Sequence, residues 1–524
     1  MTTAFSHLPR LHPYTLLSLL LLVFSGCLVL VAPSDVDYWW HLRSGVWIAA
    51  SGVPTSDPFS HTAQGRLWVD HEWLQQWLIQ AMNQALGYAG PMLIYGLVQA
   101  AGTALLWRSL REHGAGRRLS LILLLAYFVL SAPTWGVRPQ GVTAPLLALS
   151  LLILERQRRA PTTGSARLAW LVPLIGLWAN LHGSFLLGLA VIGAYGVGAG
   201  IEGFLQQRPA PPLRPLAWVL AASALATLFN PYGLELWLLP FDYLRLEGGN
   251  ALRHIDEWQS PDFHQPMALI LPAVLLPLLL FGLARDHDDD SPWYRRIDVT
   301  PAILVIAFTL MALNAKYHFP LFGIAVLPIV AAALARAVPA WSRQQDEPVA
   351  VAEGRVLAAL ALPLCLLIPV LMSQLPQAQS TAAPRTDGRL PYPELAARYL
   401  ATLPVGTRLY NDFGWGGFLI QRLYPQQTVF IDGRVDLYRD RIFDDHLRVD
   451  SLQPGWQQLL KRYQVGAVII RNGSALDAAL AADSDWTVGH RDPLAVVYRT
   501  ADEPGGPAET VQAFPQLSLA NGRR

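Results

Sequence analysis

Cysteine is scarce in this 524-residue chain: there are two, Cys27 and Cys365, each inside an apolar run. A cysteine so placed behaves as a small buried hydrophobe, which excludes a disulfide framework. Charge is scarce too. Charged residues make up 15% of the chain against 52% hydrophobic ones, and the mean hydropathy of +0.30 lies outside the range of soluble globular proteins. The net charge of +1 provides no basic stripe for a phosphate backbone, so nucleic acid is excluded as a partner. No segment repeats at a fixed period. The long apolar runs carry no Asp, Glu, Lys or Arg at their centres. Ion-coupled carriers place ionisable groups there, so this absence weighs against a transporter.

What the chain has is apolar length. Eleven segments, at 13–32, 91–107, 119–134, 141–154, 168–181, 184–203, 215–229, 266–284, 299–314, 319–335 and 356–373, read as membrane spans. The fold class expected is a polytopic α-helical membrane protein of about eleven transmembrane helices, with a small α/β domain at the C-terminal end. Although Phe24-Ser25-Gly26-Cys27 resembles a lipoprotein cleavage box, the apolar run continues past it, so 13–32 reads as a retained helix. With the amino terminus in the cytoplasm, Arg108, Arg111, Arg117, Arg118, Arg156, Arg158, Arg159 and Arg167 all fall in inside loops, and the C-terminal region lies outside.

Residues 1–373 form the expected transmembrane domain, within which the first outer loop, 33–90, is too long to be a connector. Two helices lying at the membrane interface are expected in it, near 38–50 and 70–86, the second from the helical spacing of Trp73, Leu74, Trp77, Leu78 and Ala81. Short spans run outward into polar turns at Asn180-Leu181-His182-Gly183, Asn230-Pro231-Tyr232-Gly233 and Asn314-Ala315-Lys316-Tyr317-His318. Irregular backbone at membrane depth is tolerated only around a wet cavity, so these turns imply a funnel opening outward. Residues 374–396 read as a linker, 397–500 as the α/β domain with strands at 408–410, 428–431, 467–470 and 495–498, and 501–524 as a flexible tail.

The chemistry gathers around the run Ser34-Asp35-Val36-Asp37-Tyr38-Trp39-Trp40-His41, where the first span ends. A carboxylate at that boundary, Asp37 or Asp35, can take a proton from an acceptor hydroxyl or help hold a divalent cation; the plain alternative is that both acids cap the next helix. Trp39, Trp40 and His41 stand beside them as acceptor or support residues. Further along the loop, His71 and Glu72 are candidates for a donor phosphate and a metal, whereas Asp57 before Pro58 reads as a turn former. Arg138, Lys316 and His182 lie at outer helix mouths as candidate phosphate partners, with Asn180 as a supporting residue. In the outer domain, Asp412, Asp432 and Arg434 follow predicted strands and are placed to face the funnel; a salt bridge or a plain turn accounts for Asp432 and Arg434 equally well.

On these residues the chain resembles the GT-C class of membrane glycosyltransferases, the group containing protein O-mannosyltransferases and aminoarabinose transferases. Asp37-Tyr38-Trp39-Trp40 looks like the acidic motif of that class at the outer end of the first span, and His71-Glu72-Trp73-Leu74 looks like its box before the second. The usual Asp-Glu pair is here Asp37-Tyr38, and Glu72-Trp73 stands where two prolines are usual. The Gly-Trp-Gly-Gly and Ile-Asp-Gly-Arg runs are similar to those of uncharacterised bacterial members. The resemblance implies an enzyme of the bacterial inner membrane that moves a sugar from a polyprenyl-phosphate carrier to an extracytoplasmic hydroxyl of a lipid, glycan or protein. It leaves room for a Mg or Mn ion held by Glu72 and Asp37. The rival expectations are a transporter or lipid-linked glycan flippase, and a catalytically silent scaffold of the same shape.

Overall fold

The structure, a computed structural model, describes residues 12–30, 36–132, 135–160, 165–205, 213–246, 254–281, 297–342 and 392–501. Asp35, the expected span 356–373 with Cys365, the first part of the linker at 374–391 and residues 502–524 of the tail lie outside them.

Apolar length and helix-compatible ends set the membrane region. It comprises α1 (Pro13–Cys27), α2 (Tyr38–Ser51), α3 (Trp73–Leu86), α4 (Ala89–Glu112), α5 (Arg117–Ser131), α6 (Thr143–Arg159), α7 (Leu171–Leu181), α8 (Phe185–Phe204), α9 (Leu213–Ala226), α10 (Glu235–Leu246), α11 (Ile270–Phe281), α12 (Val299–Asn314) and α13 (Phe319–Ala337). Pro13 opens α1 and Pro320 lies in the first turn of α13, positions where the missing N–H has no helical partner to lose. The helix beginning at Ala89, that beginning at Phe185 and the stretch Lys316–Ala337 are long and apolar enough to cross a membrane, and four shorter apolar helices accompany them. The protein is a multi-pass membrane protein. The two helices expected in the first loop are α2 and α3, and α10 is an addition that the apolar runs do not announce.

Helix α13 is the axis of the bundle, touching α4, α5, α6, α11 and α12. Its apolar stretch is 83% buried. Helices α1 and α4 cross where Gly26 meets Gly96: a Cβ on either would come within 2.8 Å of the other's carbonyl oxygen, so only glycine permits that approach.

After residue 391 the chain builds a small sheet in the order β1-β2-β4-β3. The strands are β1 (Leu409–Asn411), β2 (Ala467–Arg471), β3 (Trp486–Arg491) and β4 (Ala495–Thr500). Around them lie α14 (Glu394–Leu400), α15 (Gly416–Leu423), α16 (Val435–Asp450), α17 (Trp456–Arg462) and α18 (Ala475–Ala481). β1 and β2 are parallel, with Leu409 opposite Ala467, whereas β4 is antiparallel to both β2 and β3. The stretch expected as a strand at 428–431 contributes single bridges only: Thr428 to Arg408 on one side, Val429 to Ser60 of the first loop on the other. Loop and sheet thus interlock. Phe59, Trp68, Trp39 and Trp40 share one apolar core with Tyr410, Phe418, Phe430 and Tyr438.

Candidate active site

A cavity of about 1140 Å³ lies where the first loop, the helix mouths and the α/β unit meet. Asp37, Trp40, His41, His71, Glu72, Arg138, His182, Lys316 and Arg434 all line it. The polar turns at 180–183 and 314–318 reach it through His182, Gly183, Lys316, Tyr317 and His318, whereas the turn at 230–233, expected to share the funnel, is absent from the lining. Leu186, Leu187, Met311 and Leu321 add apolar surface to the lining.

Asp37 is the residue before α2, yet its side chain makes no capping hydrogen bond. Instead its Oδ1 accepts from Trp40 Nε1 at 3.1 Å, one helical turn on. The capping account of this acid fails, and a carboxylate facing the cavity takes its place.

Glu72 lies at the centre of three imidazoles. His182 Nε2 is 3.3 Å from Oε1, His71 Nε2 is 3.8 Å from the same oxygen, and His41 Nδ1 is 3.6 Å from Oε2. Burial pulls all three rings below their ordinary value, His182 down to about 3 with His71 adding to the effect, so they are neutral at physiological pH. The backbone N–H of Ser184 donates to His182 Nδ1 at 3.1 Å. Ser184 Oγ lies 2.8 Å from the same nitrogen, so the turn holds the ring by Nδ1 and turns Nε2 toward Glu72.

His71, Glu72 and His182 offer three ligand atoms within 4.8 Å of one another, a group that does not include Asp37. Two imidazoles and one carboxylate suit a zinc-like ion, whereas Mg and Mn prefer oxygen ligands. These residues do not fit the Mg or Mn ion expected from the sequence.

The two candidate phosphate-binding cations come with partners. Arg138 Nη2 pairs with Glu257 at 2.8 Å, and Lys316 Nζ pairs with Asp256 at 2.7 Å. Asp256 is exposed, so its hold on Lys316 is weak and an incoming anion can replace it. Trp258, beside both acids, stacks on Tyr317 at 5.1 Å.

Three of the expected residues stand behind the cavity wall. Trp39 is buried among Tyr38, Tyr88, Tyr392 and Phe418, away from the lining. Asn180 Oδ1 accepts from Trp73 Nε1 at 3.2 Å and its Nδ2 donates to the Gly176 and Phe229 carbonyls, so it ties α3 to α7 and to the turn after α9. Asp432 is fully buried and grips Arg434. Asp412 pairs with Arg471 at 2.7 Å on the outer side of the unit and is absent from the lining. Asp57 does form a turn, accepting from the Phe59 and Ser60 N–H groups at 3.0 Å, but it also accepts from Arg434 Nη1 at 2.7 Å.

Sequence reasoning missed Asp70 as a lining residue, and with it Asp436, Asp256, Glu257 and Gly433. Asp70 had a signal, since it directly precedes His71. Its Oδ1 accepts from Gln76 Nε2 at 2.6 Å, and burial pushes the carboxyl up to about 7. Asp436 had none, because nothing local ties the start of α16 to the first loop.

No protein-family model and no curated protein matches the sequence. Solved structures do match the fold. ArnT from Cupriavidus metallidurans, bound to undecaprenyl phosphate, aligns over 94% of this chain and 98% of its own at 17% identity, with a TM-score of 0.52. The oligosaccharyltransferase AglB from Archaeoglobus fulgidus, in complex with an inhibitory peptide and a dolichol-phosphate, aligns over 87% of this chain and 69% of its own at 10% identity, with a TM-score of 0.51. Both are GT-C glycosyltransferases. This chain has the GT-C fold. Within that GT-C fold the cavity lies between the first loop and the C-terminal unit, so the two regions that resembled the class in sequence meet at one place.

Proposed function

We propose that this protein is a membrane glycosyltransferase that moves a sugar from a polyprenyl-phosphate donor to an extracytoplasmic hydroxyl with inversion. The observation that carries the reading is the cavity: the Asp37 carboxylate, the Arg138 and Lys316 cations and apolar side chains line a single chamber. The binding of undecaprenyl phosphate by ArnT and of dolichol-phosphate by AglB supports the choice of donor.

In this reading the prenyl tail lies along Leu186, Leu187, Met311 and Leu321, and its phosphate meets Arg138 and Lys316. The acceptor oxygen attacks the anomeric carbon while the bond from that carbon to the phosphate oxygen breaks on the opposite face. Asp37 takes the hydroxyl proton. Arg138 and Lys316 stabilise the charge that grows on the departing phosphate, which is the larger part of the work in such a displacement. Neutral His41, His71 and His182 hold Glu72 in place without adding positive charge. Thr143 lines the cavity and Arg159 ends the same helix about 24 Å away, so the basic loops lie at the far end of the bundle. That separation supports an outward-facing cavity by the positive-inside rule.

The test compares lipid-linked sugars and surface glycans in cells carrying the native chain, Asp37→Asn, or no chain. The substitution is expected to leave membrane insertion intact and to lower transfer by about 10²–10⁴-fold, the usual contribution of a general base. Full transfer by Asp37→Asn would remove Asp37 as the base. Lipid movement in reconstituted vesicles with glycans unchanged would instead favour a flippase.

A further inference from the structure

The Ile-Asp-Gly-Arg run finds its use at Asp37. Arg434 is 1% exposed and is held by two carboxylates from opposite ends of the chain, Asp57 at 2.7 Å and Asp432 at 2.6 Å. Its guanidinium also lies over the Trp68 and Phe59 rings, 4.6 and 5.2 Å from their centres. Asp432 Oδ1 accepts from the Arg434 N–H at 3.0 Å, which closes the turn on itself. The turn is thus fixed both internally and to the first loop.

Gly433, between those two residues, is pressed against the acid. A Cβ there would stand 1.7 Å from Asp37 Oδ1 and 2.7 Å from its Cγ. Its φ lies outside the left-handed region, so the carboxylate is what bars a side chain, not backbone strain. The neighbouring helix α15 makes the same approach. A Cβ on Gly417 would lie 2.8 Å from the Val36 carbonyl oxygen and 3.2 Å from Trp40 Cδ1. The α/β unit therefore reaches the carbonyl just before Asp37, its Trp40 partner and its carboxylate together.

We propose that the Asp432-Gly433-Arg434 turn is a positioning clamp for Asp37. Arg434 bolts it to Asp57, and the bare backbone of Gly433 sets the carboxylate against Trp40, so that the acid is aimed only while the α/β unit is seated. The clamp rests on Asp37 being the base of the proposed transfer. Gly433 is a positioning residue, acting through Asp37.

The test uses the full-length chain in membranes, supplied with the labelled pool of lipid-linked sugar extracted from the producing cells. Gly433→Ala is expected to lower the maximal rate about 10²-fold, as misplacement of a reacting group does, and to leave the half-saturating donor concentration within about twofold. Asp37→Asn is run alongside. A native maximal rate in Gly433→Ala with Asp37→Asn inactive would overturn the clamp and leave the base standing; native rates in both would remove base and clamp alike. A raised half-saturating concentration at an unchanged maximal rate would also overturn it, because the turn would then be binding donor. Should Gly433→Ala fail to accumulate, Asp57→Asn loosens the bolt without adding bulk, and the same fall in maximal rate is expected; a native rate there overturns the clamp.

Discussion

At the end of α6 away from the cavity, Glu155 accepts from Arg158 at 2.9 and 3.0 Å and from Arg159 at 2.7 Å, while Arg158 also donates to Asp298 at 2.6 Å. Tyr195 donates to the same Glu155 at 3.1 Å, and the space left among these groups is about 120 Å³. At the cavity end, Asp37, Asp70, Glu72 and Asp436 face a chamber about nine times larger beside neutral imidazoles. The same residue types serve two purposes. Where opposite charges close on one another they tie helices together; where acids outnumber the cations and surround a void, they are available to a substrate. A charged residue near a membrane helix end therefore says little about function until its partners and the space in front of it are known.

Breaking the network at the far end gives the largest expected effect. Arg158→Met leaves Glu155 and Asp298 without their shared cation, and removing one partner of a buried network costs about 3–5 kcal/mol. A clear fall in melting temperature is expected, with the transfer rate per folded molecule unchanged; a lost rate at native stability would contradict the division between the two ends. Arg138→Gln should do the reverse. Losing a group that stabilises developing charge lowers the rate by about 10²–10³-fold, whereas its partly exposed pair with Glu257 contributes no more than about 1 kcal/mol to stability. Rate assays and melting curves on the same preparations check both.

Acidification has a smaller effect, spread over both ends. Burial holds His41, His61, His71, His113, His182 and His446 below their ordinary value of 6.5, and holds Asp70, Asp436 and Asp450 above theirs of 3.8. A lowered imidazole contributes stability that is complete above 6.5 and lost as pH falls toward its folded value. A raised carboxyl contributes stability that is complete below 3.8 and lost as pH rises through its folded value. Between about pH 6.5 and 5 these six imidazoles outnumber the three carboxyls, so stability falls on acidification by about 1.4 kcal/mol per pH unit for each imidazole left unbalanced, and the melting temperature falls with it. Replacing His182 with Gln should flatten that slope; an unchanged slope would mean that the ring is not the buried neutral group described.

Much of this arrangement was legible in the chain. Apolar length located ten of the eleven expected segments on described helices, and the spacing of Trp73, Leu74, Trp77 and Leu78 announced α3. The cavity residues of the first loop were legible because acids beside tryptophans at a span's edge have few other uses. Pairings across long separations were not. Asp57 and Arg434 lie 377 positions apart, and a turn former before proline carries no sign of a distant guanidinium. Strand β3 escaped notice because Trp486–Arg491 is an edge strand with little buried side-chain surface, which blurs the alternation. Helix α16 escaped because Val435–Asp450 is dense in charge and irregular at Arg439, where φ is 55°. The run at 428–431 has a strand's composition, yet its partner Ser60 comes from the first loop, a pairing that no local pattern predicts.

The bolt between Asp57 and Arg434 also carries a consequence for biosynthesis. The ribosome makes Asp57 early and Arg434 377 residues later, roughly 20–75 s apart at ordinary elongation speeds. Throughout that interval the nascent chain can already hold its lipid-facing helices, but its acid is unaimed. If the proposed clamp holds, a product cut short by premature termination would occupy the bilayer with Asp37 unaimed and would show no transfer.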